Sequence, residues 1–134
     1  MRTASVGPPT SQVERLSEVA IETLFLVLGN IKPGRTADDV AQVAKRGLEG
    51  VDRLFFHGGF GYSIGMGFQP SWAENPVIIV EGAEWEFKPG MTFHLPICVS
   101  VPGEAGVGFS ESIVVTERGC ETLTPCLEVE LRQA

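Results

Sequence analysis

Two long segments of alternating apolar and polar residues occupy the second half of the chain. Residues 91–101 and 107–116 are rich in β-branched and aromatic side chains, and the Pro-Gly-Glu-Ala-Gly segment at 102–106 links them. A period of two is typical of strands, and a short glycine-containing link between two such runs is typical of a β-hairpin. The pattern predicts a long antiparallel hairpin that starts after the Lys-Pro-Gly turn at 88–90.

Alternation along the hairpin assigns its side chains to two faces. In the first arm, the apolar face carries Phe93, Leu95, Ile97 and Val99. The other face carries His94, Pro96, Cys98 and Ser100. In the second arm, Ser110, Ser112 and Val114 share a face, whereas Glu111 points with Phe109, Ile113 and Val115. Glu111 therefore reaches the polar face only if a bulge at Gly108 re-aims it.

The first half of the chain predicts two helices. Ser11 and Glu14 stand at capping-box spacing, and apolar residues recur from there to about Leu28 at the helical period. A tight turn at residues 31–34 follows, and Thr36 and Asp39 repeat the capping pattern for a second helix that ends before Gly50.

After the helices the pattern changes to strands. Residues 54–56 and 77–80 read as short strands, and the glycine-rich stretch between them predicts a turn at residues 61–65. Two helices followed by a run of antiparallel strands give an α+β fold, with the helices packed on a hairpin-rich sheet. We expect residues 1–134 to form a single domain, with residues 125–134 as a loosely held tail.

Composition narrows the classes of partner. Seventeen acidic and ten basic residues give a net charge of −7, which disfavours nucleic acid and anionic membranes as partners. The longest apolar run, residues 24–28, is too short to span a bilayer. Cys98, Cys120 and Cys126 lack metal-ligand spacing and read as free thiols. Together these features predict a soluble cytoplasmic protein.

Four motifs, in this order, resemble the pita-bread superfamily of methionine aminopeptidases, Xaa-Pro dipeptidases and creatinase. They are Ile-Lys-Pro-Gly at 31–34 with Ala-Asp-Asp-Val at 37–40, the glycine turn around Tyr62, Phe-Lys-Pro-Gly-Met-Thr-Phe at 87–93, and residues 112–124. The resemblance implies the second half of the pita-bread catalytic domain. Tyr62 with Ser63 is most similar to the branch that includes creatinase and the ectoine hydrolases.

The resemblance also locates the metal-ligand positions. The family's histidine ligand aligns with Tyr62, its two glutamate ligands align with Pro96 and Ser110, and a second, assisting histidine aligns with Gln69. The two aspartate ligands of metal-dependent members lie upstream of the matched region. Proline has no side-chain donor, and neutral hydroxyls hold divalent ions poorly without carboxylates. The resemblance therefore implies no metal and no cofactor.

In the creatinase-like branch, amide or amidine cleavage can proceed without metal. On that basis His94, Tyr62 and Glu111 are the catalytic candidates, and His57, Gln69 and Ser110 are the substrate-binding candidates. Structural roles compete with these. They are a hydrogen-bonded core histidine at 94, a loop histidine at 57, a salt-bridged carboxylate at 111, and a Tyr62 ring packed on Trp72 or Phe68.

Two functions follow from the resemblance. The first is a domain without metal ligands that is catalytically silent alone and acts through self-association or a partner. The alternative is a metal-independent C–N hydrolase, similar to Xaa-Pro dipeptidase, creatinase or ectoine hydrolase, that acts on a small polar amide. The expected ligand of either is a small amide or a peptide. Because half of the fold exposes sheet surface to water, we expect a homodimer or association with a separately encoded first half.

Overall fold

The structure is a computed structural model, and it describes residues 1–67, 77–124 and 128–133. Two helices pack on one face of an antiparallel sheet, as the sequence predicts. The helices are α1 (Ser11–Asn30) and α2 (Ala37–Gly47). The strands are β1 (Ala4–Ser5), β2 (Phe55–Phe56), β3 (Gly61–Ser63), β4 (Ile78–Ile79), β5 (Thr92–Val101), β6 (Ala105–Val115), β7 (Cys120–Thr122) and β8 (Arg132–Gln133). In the described part of the chain, no helix is both long and apolar enough to cross a membrane.

Helix α1 begins one residue earlier than the capping pattern indicates. Its N-cap is Thr10, whose hydroxyl accepts a hydrogen bond from the backbone N–H of Val13. Ser11, the predicted cap, is the first helical residue, because Thr10 supplies the same kind of oxygen one position upstream. The predicted apolar stripe is buried against the sheet, and it consists of Leu16, Val19, Ala20, Leu24 and Val27.

Helix α2 begins as predicted. The Thr36 hydroxyl accepts from the Asp39 N–H, and the Asp39 carboxylate accepts from the Thr36 N–H, which completes a capping box. The turn before α2 is hydrogen-bonded to the segment that precedes β5, because the Gly34 N–H donates to the Phe87 carbonyl. Gly34 has φ +81°, a conformation that favours glycine.

The sheet is built around the predicted hairpin of β5 and β6. The strand order is β4-β3-β5-β6-β7, and β2 also pairs with β5. The hairpin link is shorter than predicted, because Ala105 and Gly106 already pair with Val101 and Ser100. Residues 61–63, predicted as a turn, form strand β3 instead, since they hydrogen-bond to β4 on one side and to β5 on the other.

The alternation of β5 separates a core face from an open face, as predicted. Its core-face residues are fully buried under α1, whereas the residues between them are only half-buried. The segment after Thr124 contributes β8, which pairs in parallel with β1, and Val129 and Leu131 pack against the core. The single-domain organisation of residues 1–134 stays a prediction.

Candidate functional site

Tyr62, His94 and Ser112 form a polar row across three neighbouring strands on the open face. Tyr62 is the register partner of His94, and His94 is the register partner of Ser112. The rings of Tyr62 and His94 lie 5.5 Å apart between centroids, with a tilt of 57°. Directly opposed residues in antiparallel strands point to the same face, so the ladder itself assembles this row.

His94 is held on one side by a serine. Its Nδ1 lies 3.2 Å from the Ser112 hydroxyl. Burial lowers the pKa of His94 below its usual value of 6.5, because removing the ring from water disfavours the charged form. His94 is therefore a neutral imidazole at physiological pH, which is the form that accepts a proton.

The paired strand positions on the face of this row carry no charged side chain. On β5 the open-face positions are Thr92, His94, Pro96, Cys98 and Ser100. Their register partners on β6 are Val114, Ser112, Ser110, Gly108 and Gly106. The charge that lies against these ten positions is the N-terminal ammonium of Met1, which donates to the Ser110 hydroxyl at 2.5 Å.

Ser110, a predicted substrate-binding residue, lies directly opposite Pro96. It is 2% exposed, and its backbone N–H donates to the Met1 carbonyl. The N-terminal segment continues along this edge of β6, where the Thr3 hydroxyl bonds to the backbone of Gly108. Ser110 therefore shares the face of His94 but is largely covered.

Glu111, a predicted catalytic residue, points away from the row. The pairing of β5 with β6 is continuous from Thr92 to Val101, so no bulge re-aims Glu111, and its register partner is the core residue Leu95. Glu111 is 4% exposed, its carboxylate is bound by the Arg2 guanidinium, and it accepts a hydrogen bond from the Thr124 hydroxyl at 3.2 Å. This environment is that of a structural ion pair.

The two remaining substrate-binding candidates do not join the row. His57 is exposed, and its Nε2 lies 2.9 Å from the Ser100 hydroxyl. Ser100 stands six residues from His94 along β5, a rise of about 20 Å for a strand. Gln69 lies outside the described residues, as do the proposed packing partners Phe68 and Trp72.

The two cysteines in the described part of the chain do not form a reactive site. Cys98, on the open face, and Cys120 are free thiols, and burial raises the pKa of both thiol groups. A raised pKa keeps a thiol protonated and poorly nucleophilic. Cys126 lies outside the described residues.

The positions expected to bind metal do not fit a metal ion. Tyr62, Pro96 and Ser110 offer two neutral hydroxyls and a residue with no side-chain donor. Within residues 1–67, 77–124 and 128–133, no three His, Cys, Asp or Glu side chains cluster in a way that could hold an ion. The carboxylate next to Ser110, that of Glu111, is engaged by Arg2.

Comparison with known proteins places this geometry in a family. The model for metallopeptidase family M24 matches residues 1–117. The chain belongs to metallopeptidase family M24. Relatives include the ectoine hydrolase of Halomonas elongata and an uncharacterised hydrolase/peptidase of Sinorhizobium fredii, each 35% identical over about 92% of this chain. The chain spans about 30% of the length of these two relatives.

Solved dipeptidase structures share the fold. A dipeptidase from Mycobacterium ulcerans superimposes with a TM-score of 0.85 and 28% identity, covering 98% of this chain and 34% of its own. A dipeptidase from Pyrococcus horikoshii gives 0.87 and 27%, covering 99% and 36%. The pita-bread resemblance is thus confirmed, and the chain corresponds to the C-terminal half of the catalytic domain.

Sequence reasoning missed two residues of this region. Alternation along β6 predicts the face on which Ser112 lies. Its pairing with His94 depends on the hairpin register, and the predicted hairpin link, residues 102–106, is two residues longer than the observed one. Arg2 binds Glu111 across 109 positions of sequence, and no local pattern predicts such a contact.

Proposed function

We propose that this chain supplies one wall of a metal-independent C–N hydrolase site and is catalytically silent until a second wall is added. The observation that supports the proposal is the Tyr62–His94–Ser112 row, in which Tyr62 aligns with a metal-ligand position of the family and the other two residues lie two positions from Pro96 and Ser110, which align with the remaining ligands. A wall that lacks metal ligands suits a reaction driven by proton transfer between side chains and substrate.

His94 is the proposed general base. A neutral imidazole accepts a proton from a water molecule as the water oxygen attacks the carbonyl carbon of an amide. The same proton then passes to the departing nitrogen as the C–N bond breaks, so that atoms and charge balance. The Tyr62 ring packs against His94 and borders the space in which the substrate would lie.

The substrate that fits this wall is a small, uncharged amide group. The ten paired positions on β5 and β6 offer hydroxyls and an imidazole, and the Met1 ammonium that lies against them donates to the Ser110 hydroxyl. Because the Met1 ammonium is already bonded to Ser110, a carboxylate or ammonium group of the substrate is bound by the second wall. The first half of an M24 domain, in the same polypeptide or in another one, would provide that wall.

A chimera tests the proposal. The segment of the Halomonas elongata ectoine hydrolase that aligns with this chain is replaced by this chain, and ectoine hydrolysis is measured with and without a chelator. We expect chelator-resistant activity that falls by about 10²–10⁴-fold in His94→Ala, the usual contribution of a general base. The control is Lys45→Gln on α2, which removes an exposed ion pair with Glu81. A folded chimera without activity would overturn the hydrolase proposal.

A second candidate is a silent domain that acts through association. It is supported by the open face of β5, whose residues are only half-buried in the single chain. A second molecule packed on this face would bury them further. In this case two copies pair through the open face, as symmetric dimers commonly do. Sedimentation of the 134-residue chain gives a dimer if this is correct, and a monomer at micromolar concentration contradicts it.

A further inference from the structure

We propose that Ser112 is a positioning residue that fixes the tautomer of His94. The Ser112 hydroxyl accepts a hydrogen bond from Nδ1–H of His94, which leaves the Nε2 lone pair as the proton acceptor. The tautomer is a property of the folded chain and does not depend on the proposed function. Only the catalytic effect of the tautomer rests on the proposed function.

Geometry supports a fixed ring. Ser112 is bound to its place by the ladder, since it lies opposite His94 on β5 and its carbonyl accepts from the Leu123 N–H beside it. On the other side of His94, the Tyr62 ring lies 5.5 Å from the imidazole between centroids. The Nδ1 to Oγ distance of 3.2 Å is within hydrogen-bond range.

The direction of the hydrogen bond follows from the chemistry of histidine. A hydroxyl can either donate to or accept from a neutral ring nitrogen, but imidazolium carries a proton on both nitrogens. The hydrogen bond can therefore persist in both the neutral and the charged form of His94 only if the Ser112 hydroxyl accepts from Nδ1–H. A histidine that takes up and releases a proton at Nε2 can therefore keep this partner throughout, and the partner sets which nitrogen reacts.

The chain provides its own internal control. It contains two histidines, and each is bonded to one serine, His94 to Ser112 and His57 to Ser100. Nitrogen-15 NMR of the imidazole rings in the 134-residue chain reports the tautomer and the protonation of both histidines. The test compares Ser112→Ala, Ser112→Thr and Ser100→Ala, with backbone spectra to show that each variant is folded.

We expect the wild-type His94 signals to show the proton on Nδ1. In Ser112→Ala we expect that tautomer to be less populated. The pKa of His94 falls as well, because the charged ring loses its hydrogen-bond acceptor. The His57 signals do not change. Ser112→Thr restores the wild-type signals, and Ser100→Ala moves only those of His57. In the chimera, Ser112→Ala lowers kcat by about fivefold to tenfold, the effect of one hydrogen bond.

Two results would overturn the proposal. One is a wild-type His94 with its proton on Nε2, and the other is a Ser112→Ala spectrum in which His94 is unchanged. Both are read from the folded chain without an activity assay. An inactive chimera with the expected NMR spectra would overturn the hydrolase proposal and leave the role of Ser112 intact.

Discussion

The guanidinium of Arg2 binds the carboxylate of Glu111, and the pair is largely buried, with 15% and 4% of the two side chains exposed. Arg2 also donates to the carbonyls of Ser110 and Glu128, so it joins the N-terminal segment, β6 and the C-terminal segment. Removing one partner of a buried pair leaves an uncompensated charge.

The first prediction concerns this ion pair. We expect Glu111→Ala to lower the free energy of unfolding by about 3 kcal/mol, because the Arg2 charge then remains buried without its partner. Urea denaturation measures the change, and the exposed Glu121→Ala on β7 is the control, with an expected change below about 0.5 kcal/mol. A fully stable Glu111→Ala chain whose chimera has lost its activity would instead support a catalytic role for Glu111.

A second prediction concerns the close approach of β3 to its neighbours. A Cβ on Gly61 would lie 2.6 Å from Leu95 Cδ2, 2.9 Å from Ile79 Cδ1 and 3.1 Å from the His94 carbonyl. We expect Gly61→Ala to destabilise the chain by about 1–3 kcal/mol and to separate Tyr62 from His94. Thermal denaturation and the NMR signals of His94 check both effects.

The matched control for that variant is Gly29→Ala. Gly29 lies near the end of α1, and outside its own helix nothing lies within 4 Å of the position that an alanine methyl group would occupy. There alanine improves helix propensity, so we expect stability to rise by about 0.5–1 kcal/mol. Equal destabilisation at Gly29 and Gly61 would show that crowding at β3 is not the cause.

The pKa of His94 gives a third prediction. Because burial lowers this pKa below its unfolded value of 6.5, the unfolded chain binds more protons as the pH falls through 6.5. The contribution of His94 to stability is therefore complete above pH 6.5 and is lost as the pH falls through the lower pKa of the folded state. Urea denaturation between pH 8 and pH 5 measures this slope, and His94→Gln should flatten it. An unchanged slope in that variant would contradict the assignment.

The capping box of α2 gives a fourth prediction. The hydrogen bond from the Thr36 backbone N–H lowers the pKa of Asp39 below 3.8. The stabilising effect of ionised Asp39 is present above pH 3.8 and is lost as the pH falls through the folded-state pKa. We expect Asp39→Asn to reduce the acid-induced loss of stability between pH 5 and pH 2, measured by circular dichroism of the helices. The same acid midpoint in both proteins would argue against this role.

Local patterns were sufficient for the parts of the fold that depend on near neighbours. The capping box at Thr36, the burial of Leu24 on α1 and the alternation of Phe93 and His94 along β5 were all confirmed. Each depends on contacts within a few residues or on the geometry of a single strand. The order of the four motifs along the chain also indicated the superfamily to which family M24 belongs.

Sequence alone therefore determined the two helices, the hairpin and the face on which each hairpin residue lies, because the helix and strand periods fix side-chain direction. The tertiary structure decided that Tyr62 lies on a strand between β4 and β5 rather than in a turn. It also decided that Ser112 contacts His94 and that Arg2 binds Glu111. Those contacts depend on strand register and on segments far apart in sequence, and only the packed sheet brings them together.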